Sequence, residues 1–310
     1  VKVAVLKGGR SLERGVSLRS GARVEDALER LGHEVVPLDV AHDLVKRLLG
    51  EQPDVAFIAM HGPGGEDGTP QELLEILDIP FTGPGVAACA RCMDKVLTKY
   101  ELRDAGVPTA DWFAFNETAF RELGVGDALG ELEERLGFPV VVKPSRGGSA
   151  LGVKFAASPA EVPATLVAAF SYDDRVLLES FIEGRELAVS ILGNEALPVV
   201  EAIPTGGDRY DFEARYEIGR TNFICPADLG APEAEAVTAT ALAAYEALGC
   251  SGFSRVDLIL GPDGPQVLEV NAIPGLTDTS LLPQAAEAAG MSFEDLVERI
   301  LQLAQPAVAH

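Results

Sequence analysis

The hydrophobic pattern opens with VKVAVL, an apolar run broken only by Lys2, and the turn residues KGGRS follow it. Such a run reads as a buried strand. From Val16 to Leu31 the apolar residues recur at helical spacing, Gly32 stops the run, and HEVVPLDV reads as a second strand. These elements predict a βαβ unit. A further buried strand, DVAFIAM, ends at His61 and leads into the glycine-rich GPGGEDGT, a helix PQELLEILD and a short strand around IPFTG. Together they predict an open parallel sheet, a fold whose ligands gather at the carboxyl ends of the strands.

From about Gly85 the pattern changes. One helix is predicted across AACARCMDKVLTKYELRDAG, then VPTADWFAF, a helical stretch to Leu136 and a strand FPVVVKPS. A strand GVKFAAS, a helix from Pro159 to Phe170 and a strand RVLLESFI continue the alternation. Long strands RELAVSILG and EALPVVEAI follow, then an irregular polar stretch from about Thr205 to Ala227, a helix from Pro232 to Leu248, strands SRVDLIL and QVLEVNA, and a closing helix SFEDLVERILQLA. The division expected from these shifts is 1–84, 85–178 and 179–310. A structureless stretch of that length inside a compact chain points to function rather than slack.

Composition narrows the classes. The 310 residues exceed one typical domain, so two or three subdomains are expected. No apolar run approaches the roughly 18 to 20 residues that span a bilayer, and VKVAVLKGG is too short and too soon broken by glycines for a signal peptide. The expected place is the cytoplasm, with no membrane partner. A formal charge of −23 argues against nucleic acid, because phosphate backbones are bound by clustered Lys and Arg. Small anionic ligands remain open, since a few buried lysines set a local positive field. Four cysteines fit a reducing compartment, and Cys89 and Cys92 form a CxxC without the second pair or His cluster of a zinc set, so they read as core.

The candidate chemistry begins at the last pair of strands. GPDG between SRVDLIL and QVLEVNA marks a tight hairpin. Alternation puts Arg255 and Asp257 on one face of the first strand, and Glu269 and Asn271 on one face of the second. If the faces coincide, two carboxylates stand about 4 Å apart, a repulsion of roughly 4 kcal/mol at an effective dielectric near 20. A metal would remove it, and these hard oxygen ligands point to Mg²⁺ shared with phosphate oxygens; the other reading is a charged sheet edge in water. In VVVKPSRGGSALGV, Lys143 leaves a three-valine strand and Gly147, Gly148 and Gly152 surround Ser149, a loop able to line a phosphate although it lacks the Walker order. A plain hairpin tip is the alternative. Lys95 alone is an ordinary helix lysine, and Glu179 and Glu186 flank the turn at Glu183-Gly184, where acids suit either an adenosine or solvent.

Taken in order, GGRSLERGVSLRSG, MHGPGGEDGTPQ, FTGPG, MDK, VVKPSRGGSALGV, YDFEARY, CPA, SRVDLIL and LEVNAIPGLTDTSLLP resemble the ATP-grasp superfamily, and within it the D-alanine–D-alanine ligases. The likeness runs from near Val1 to about Ala304. It implies an α/β fold with α+β character: an ATP-grasp architecture behind an N-terminal Rossmann-like domain. It implies ATP-dependent phosphorylation of one D-alanine, attack by the amine of a second, and D-alanyl-D-alanine for peptidoglycan precursors.

By the same resemblance, Asp257, Glu269 and Asn271 would hold two Mg²⁺ ions, for which Mn²⁺ can substitute, and Lys95, Lys143 and Arg215 would contact phosphates. Glu179, Ser180, Ile182 and Glu186 would hold adenosine. Glu13 would pair with the ammonium of the first D-alanine with His61 nearby, Arg255 and the Gly275 N–H would form an oxyanion hole, and Ser280 and Leu281 would meet the second D-alanine. Glu13, Ser149 and Tyr216 match a Glu, Ser and Tyr that link the N-terminal domain, the glycine-rich loop and a mobile loop. Family members are generally dimeric through the N-terminal domain, so a homodimer is implied. The chain departs from the family at Arg215, where a lysine is usual, at Gly15 and at Ala150. The alternatives are a paralogous ligase with another second substrate and a nucleotide sensor without turnover. Activation by a monovalent cation is left open by the sequence.

Overall fold

The computed structural model describes residues 1–123, 129–148, 150–204 and 221–304. Strand β1 (Lys2–Gly8) is buried through Val3–Leu6 and lies between β2 (Glu34–Val40) and β3 (Val55–Ile58), parallel to both. Helix α1 (Arg14–Arg30) makes the crossover. It packs on β1 with Val24, Ala27 and Leu28 and with the small residues Ser17, Ser20 and Gly21 turned inward, which lets the helix sit close. Helices α2 (Leu44–Glu51) and α3 (Thr69–Ile76) complete this part, and the short strand expected near IPFTG is a single bridge from Phe81 to Ala56. The sequence pattern did not single out α2.

The helix expected from Ala87 to Gly106 is two helices, α4 (Val86–Met93) and α5 (Lys95–Asp104). Asp94 breaks it. Its backbone is extended and its carboxylate accepts from the Val96 and Leu97 N–H groups at 3.0 and 3.2 Å, so it caps α5 instead of continuing α4. Both helices pack on the last strand of the C-terminal sheet.

An antiparallel sheet of order β4-β7-β5-β6 follows, made of β4 (Trp112–Asn116), β5 (Val140–Pro144), β6 (Lys154–Ala156) and β7 (Arg175–Ser180). Helices α6 (Glu117–Glu122), α7 (Leu129–Leu136) and α8 (Val162–Ala169) belong to this part. It has its own small core of Val140, Val142, Leu166, Val176 and Leu178 with their neighbours.

The third sheet is antiparallel, of order β11-β10-β8-β12-β13, with β9 (Glu195–Ala196) against β8. It contains β8 (Arg185–Leu192), β10 (Val200–Pro204), β11 (Thr221–Ile224), β12 (Phe253–Gly261) and β13 (Gly264–Asn271). Strand β11 lies inside the stretch read as structureless, and the strand expected over EALPVVEAI is two, with Pro198 between them. Helix α9 (Ala231–Ala247) covers this sheet, and α10 (Leu281–Ala288) and α11 (Phe293–Gln302) close the chain; α10 was not foreseen. Ser292 and Asp295 exchange backbone bonds as a capping box, and α11 buries Leu296, Val297, Ile300 and Leu301. The larger core runs without a break from the parallel sheet into β8, β12 and β13.

Candidate active site

Lysines built into strand and helix floor the first cleft. Lys143 stands one residue before the end of β5, whose pairing with β7 runs through Pro144, and its ammonium is paired with the Glu179 carboxylate from β7. The other Glu179 oxygen lies 2.7 Å from Nζ of Lys99, a buried lysine of α5 that also donates to Thr109 Oγ1 at 2.7 Å and to the Ala110 carbonyl at 3.1 Å. Burial alone would raise the Glu179 carboxyl, but Lys143 and Lys99 outweigh it and hold the group at about 2. One carboxylate serves two ammonium groups. Lys99 is accordingly pushed below the usual lysine range by burial, against the pull of Glu179.

Beyond Pro144 the glycine-rich loop is tied back to α5. Ser145 Oγ donates to Asp94 at 2.7 Å, the Lys95 N–H donates to the Ser145 carbonyl at 2.9 Å, and Lys95 Nζ donates to the Gly147 carbonyl at 2.6 Å. Lys95 Nζ also reaches Glu269 of β13 at 3.4 Å. The cleft so formed has a volume of about 850 Å³ counted to its open mouth. Lys95, Lys143, Glu179, Ser180, Ile182, Glu186 and Glu269 all line it, with Val141, Phe155, Phe181 and Leu268 supplying apolar walls. Leu268 and Glu269 are consecutive, yet both face the cleft. The ladder explains this: Asp257 opposes Glu269 while Leu258 opposes Val267, a bulge that turns Leu268 out of the alternation.

The two polar faces of the hairpin do coincide, with Asp257 opposite Glu269 and Arg255 opposite Asn271. Arg255 grips Asp257 through two bonds, at 2.7 and 2.8 Å, and Asn271 Nδ2 donates to Asp257 at 3.1 Å. Each carboxylate therefore has a cationic neighbour, Arg255 or Lys95. The donor set suits Mg²⁺, being hard oxygens on two paired strands. Among the described residues no group of three or more His, Cys, Asp and Glu forms a metal cluster, so an ion here would draw on the Asn271 amide and on oxygens of a bound ligand.

The second cleft, about 790 Å³ by the same measure, is lined by Glu13, His61, Arg255, Asn271, Gly275, Ser280 and Leu281. Glu13 at the start of α1 is wedged between two glycines: a Cβ at Gly62 would stand 2.6 Å from its carboxylate, and one at Gly148 3.0 Å. The N-terminal domain thus touches the glycine-rich loop at the residue before Ser149. His61 is buried, with Nε2 3.0 Å from Ser20 Oγ and Nδ1 3.1 Å from Glu66 and 3.2 Å from the Ile273 carbonyl. The Leu276 N–H donates to Ser20 Oγ at 3.1 Å and Arg23 donates to the Leu276 carbonyl at 2.6 Å, so α1 fixes the segment after β13. Ser280 Oγ accepts from the Thr277 N–H at 3.0 Å and lies where a Cβ on residue 275 would fall, 2.7 Å away.

Every expected site residue within the described parts lines one of the two clefts or, as Asp257 does, abuts them through Arg255. Ser149, Arg215 and Tyr216 lie outside the described residues. Sequence reasoning missed Lys99, Asp94, Ser20 and Glu66. Lys99 carried a signal, since it follows Lys95 by four residues and so shares its helix face; the partners of the other three are set by tertiary contact.

Three sheets with a glycine-rich loop over a lysine-floored cleft, adjoining a hairpin of acidic residues, define an ATP-grasp fold. The chain belongs to the D-alanine–D-alanine ligase family: models of the D-ala D-ala ligase N-terminus and C-terminus match residues 42–84 and 102–302. It is 46% identical to the D-alanine–D-alanine ligase of Geobacter sulfurreducens over 97% of this chain and 93% of that one. Among solved structures it resembles the D-alanine–D-alanine ligase of Bacillus anthracis, with a TM-score of 0.86 and 36% identity over 98% of this chain and 97% of that one. The Bacillus anthracis ligase complexed with ATP superposes with a TM-score of 0.83 at 33% identity, covering 97% and 96% of the two chains.

Proposed function

We propose that the chain uses ATP to join two D-alanines, giving D-alanyl-D-alanine, ADP and phosphate for peptidoglycan precursors. The observation that carries this reading is the meeting of two clefts at one hairpin: one ends on Lys95 and Glu269, the other on Arg255 and Asn271, and Gly148 borders both. A nucleotide in the first would present its terminal phosphate to an amino acid in the second.

A carboxylate oxygen of the first D-alanine attacks the γ-phosphorus, the bond to the bridging oxygen breaks, and ADP leaves. Lys95 and Lys143 offset the phosphate charge as it moves. The amine of the second D-alanine attacks the acylphosphate carbon, and collapse of the tetrahedral centre expels phosphate. Glu13 holds the first ammonium beside His61, and Arg255 with the Gly275 N–H faces the oxyanion. Such donors matter most in the transition state. Ser280 takes the second carboxylate and Leu281 contacts its apolar side. Mg²⁺ or Mn²⁺ held by Asp257, Glu269 and Asn271 would supply the neutralisation that opposed carboxylates and a triphosphate need.

Glu179, Ser180, Ile182 and Glu186 are the adenosine wall, and Ser149, Arg215 and Tyr216 take the loop roles their motifs imply. The division proposed is 1–84, 85–178 and 179–310, with a homodimer through the first part and a cytoplasmic setting. No helix among the described residues is long and apolar enough to cross a membrane. Phosphate release measured against D-alanine, D-serine, D-lactate and L-amino acids tests the substrate. Release with D-alanine as both substrates is expected; none with D-alanine alongside release with another amino acid would overturn the reading.

A further inference from the structure

The sequence places Cys89 and Cys92 in one CxxC, but the fold turns Cys92 toward a thiol 158 residues away. Sγ of Cys92, in the last turn of α4, stands 3.5 Å from Sγ of Cys250, in the turn between α9 and β12. The other two thiols point elsewhere. Cys89 Sγ lies 3.3 Å from Gln71 Nε2 and donates to the Pro84 carbonyl at 3.4 Å, and Cys225 Sγ is 3.8 Å from the Pro198 carbonyl. All four cysteines are free.

A disulfide needs its sulfurs at about 2.05 Å, so these two must close by roughly 1.5 Å. Cys250 is partly buried as a residue and packs against the larger core, whereas Cys92 is buried at 6% exposure. The pair is also polarised. The hydrogen bond between them draws the Cys250 thiol below its ordinary range against the opposing effect of burial, with help from Ser254 and the nearby Arg91 charge. That bond and burial push Cys92 up. Arg91 is held at this spot by the Leu248 carbonyl, 3.3 Å from Nη1. A nucleophilic sulfur backed by a resolving thiol is the arrangement that peroxide chemistry requires.

We propose that Cys92 and Cys250 form an oxidation site for small hydroperoxides, closing to an intrachain disulfide that ties α4 to the turn ahead of β12. The Cys250 thiolate attacks a peroxide oxygen, the O–O bond breaks, and the sulfur becomes a sulfenic acid while the peroxide is reduced to water or an alcohol. The Cys92 sulfur then attacks the sulfenic sulfur. The S–S bond forms, the S–O bond breaks, and hydroxide leaves as water with the Cys92 proton. Two thiols and one hydrogen peroxide thus give one disulfide and two waters. The site lies beside the reacting groups, since Cys92 also lines the small cavity between Lys95 and Glu269 and ends two residues before the Asp94 cap.

The full chain, reduced and then exposed to stoichiometric hydrogen peroxide, tests this. Titratable thiols should fall from four to two, the intact mass should drop by two hydrogens, and a non-reducing digest should yield one peptide pair joining Cys92 to Cys250. Dithiothreitol should restore all four. Cys225→Ser should behave like the parent chain, while Cys92→Ser should form no disulfide and leave a dimedone-reactive sulfenic acid at Cys250. If Cys92→Ser does not fold, Cys250→Ala serves, with Cys92 staying reduced. Four surviving thiols, a bond between other cysteines or between chains, or a disulfide in Cys92→Ser would overturn the proposal.

Discussion

Glu179 shows what a single residue does once its neighbours are known. In sequence it is an acid at a strand end; in the fold it is a buried counter-ion shared by Lys99 and Lys143, and it keeps one edge on the nucleotide cleft. Its carboxyl is lowered from 4.5 to about 2. A depressed acid contributes stability that is fully present above its unfolded value and is lost as pH falls through the folded one, here from about 4.5 down to 2. The size of that contribution is about 3 kcal/mol, as a two-to-three-fold multiple of the free energy of one pH unit. Glu179→Gln leaves two ammonium groups facing each other without a charge between them, and breaking a buried pair costs about 3–5 kcal/mol. Urea midpoints should therefore show a large deficit for this variant at pH 6 that shrinks toward pH 3. A deficit independent of pH would mean that Glu179 acts by packing alone. Arg255 carries a similar lesson: its fork is occupied by Asp257, so the donor role proposed for it is coupled to what else Asp257 binds.

At the scale of elements, a break and a bulge shape the site. The break at Asp94 turns one expected helix into two and starts α5 on Lys95, whose ammonium then spans from the glycine-rich loop to β13. Asp94 does this with one carboxylate that caps two N–H groups and holds Ser145. Asp94→Ala should cost about 1–2 kcal/mol from the lost cap. It should also raise KM for ATP by more than kcat falls, because Lys95 loses its fixed origin. Denaturant unfolding with steady-state kinetics checks both, and an unchanged KM would separate the cap from nucleotide binding. The bulge between Asp257 and Leu258 puts Leu268 and Glu269 on one cleft, something strict alternation forbids. The acids and the hairpin turn were legible in the sequence because period-2 spacing survives on the far side of the bulge. The bulge itself was not, since nothing in QVLEVNA marks which residue is extra.

Across the whole molecule, the described residues form two cores of unequal reach. One joins the parallel sheet to the C-terminal sheet; the other is confined to the β4–β7 sheet and its helices. The first is reinforced where α1 meets the C-terminal end, through Arg23 on Leu276, Arg30 on Glu294 and His33 on Glu298. Regions with few long-range apolar partners open at lower free energy. In native-state hydrogen exchange, the amides of β4 to β7 should exchange before those of β1, β8 and β12, and a bound non-hydrolysable ATP analogue should slow them. Uniform protection across all three sheets would contradict this.

Most of the order of elements, the parallel character of the first sheet, the antiparallel hairpin of the last and the residue types of both clefts were legible in the chain, because periodicity, turn residues and motif order are local properties of it, whereas α2, β11 and α10 were not. Alternation put Arg255 with Asp257 and Glu269 with Asn271; that the two faces coincide was settled by the pairing of the strands. Packing alone decided which distant groups meet: Glu179 with two lysines, Glu13 with two glycines and Cys92 with Cys250. Those pairings join residues far apart in sequence, and their partners are chosen by how three sheets pack, which no local pattern encodes.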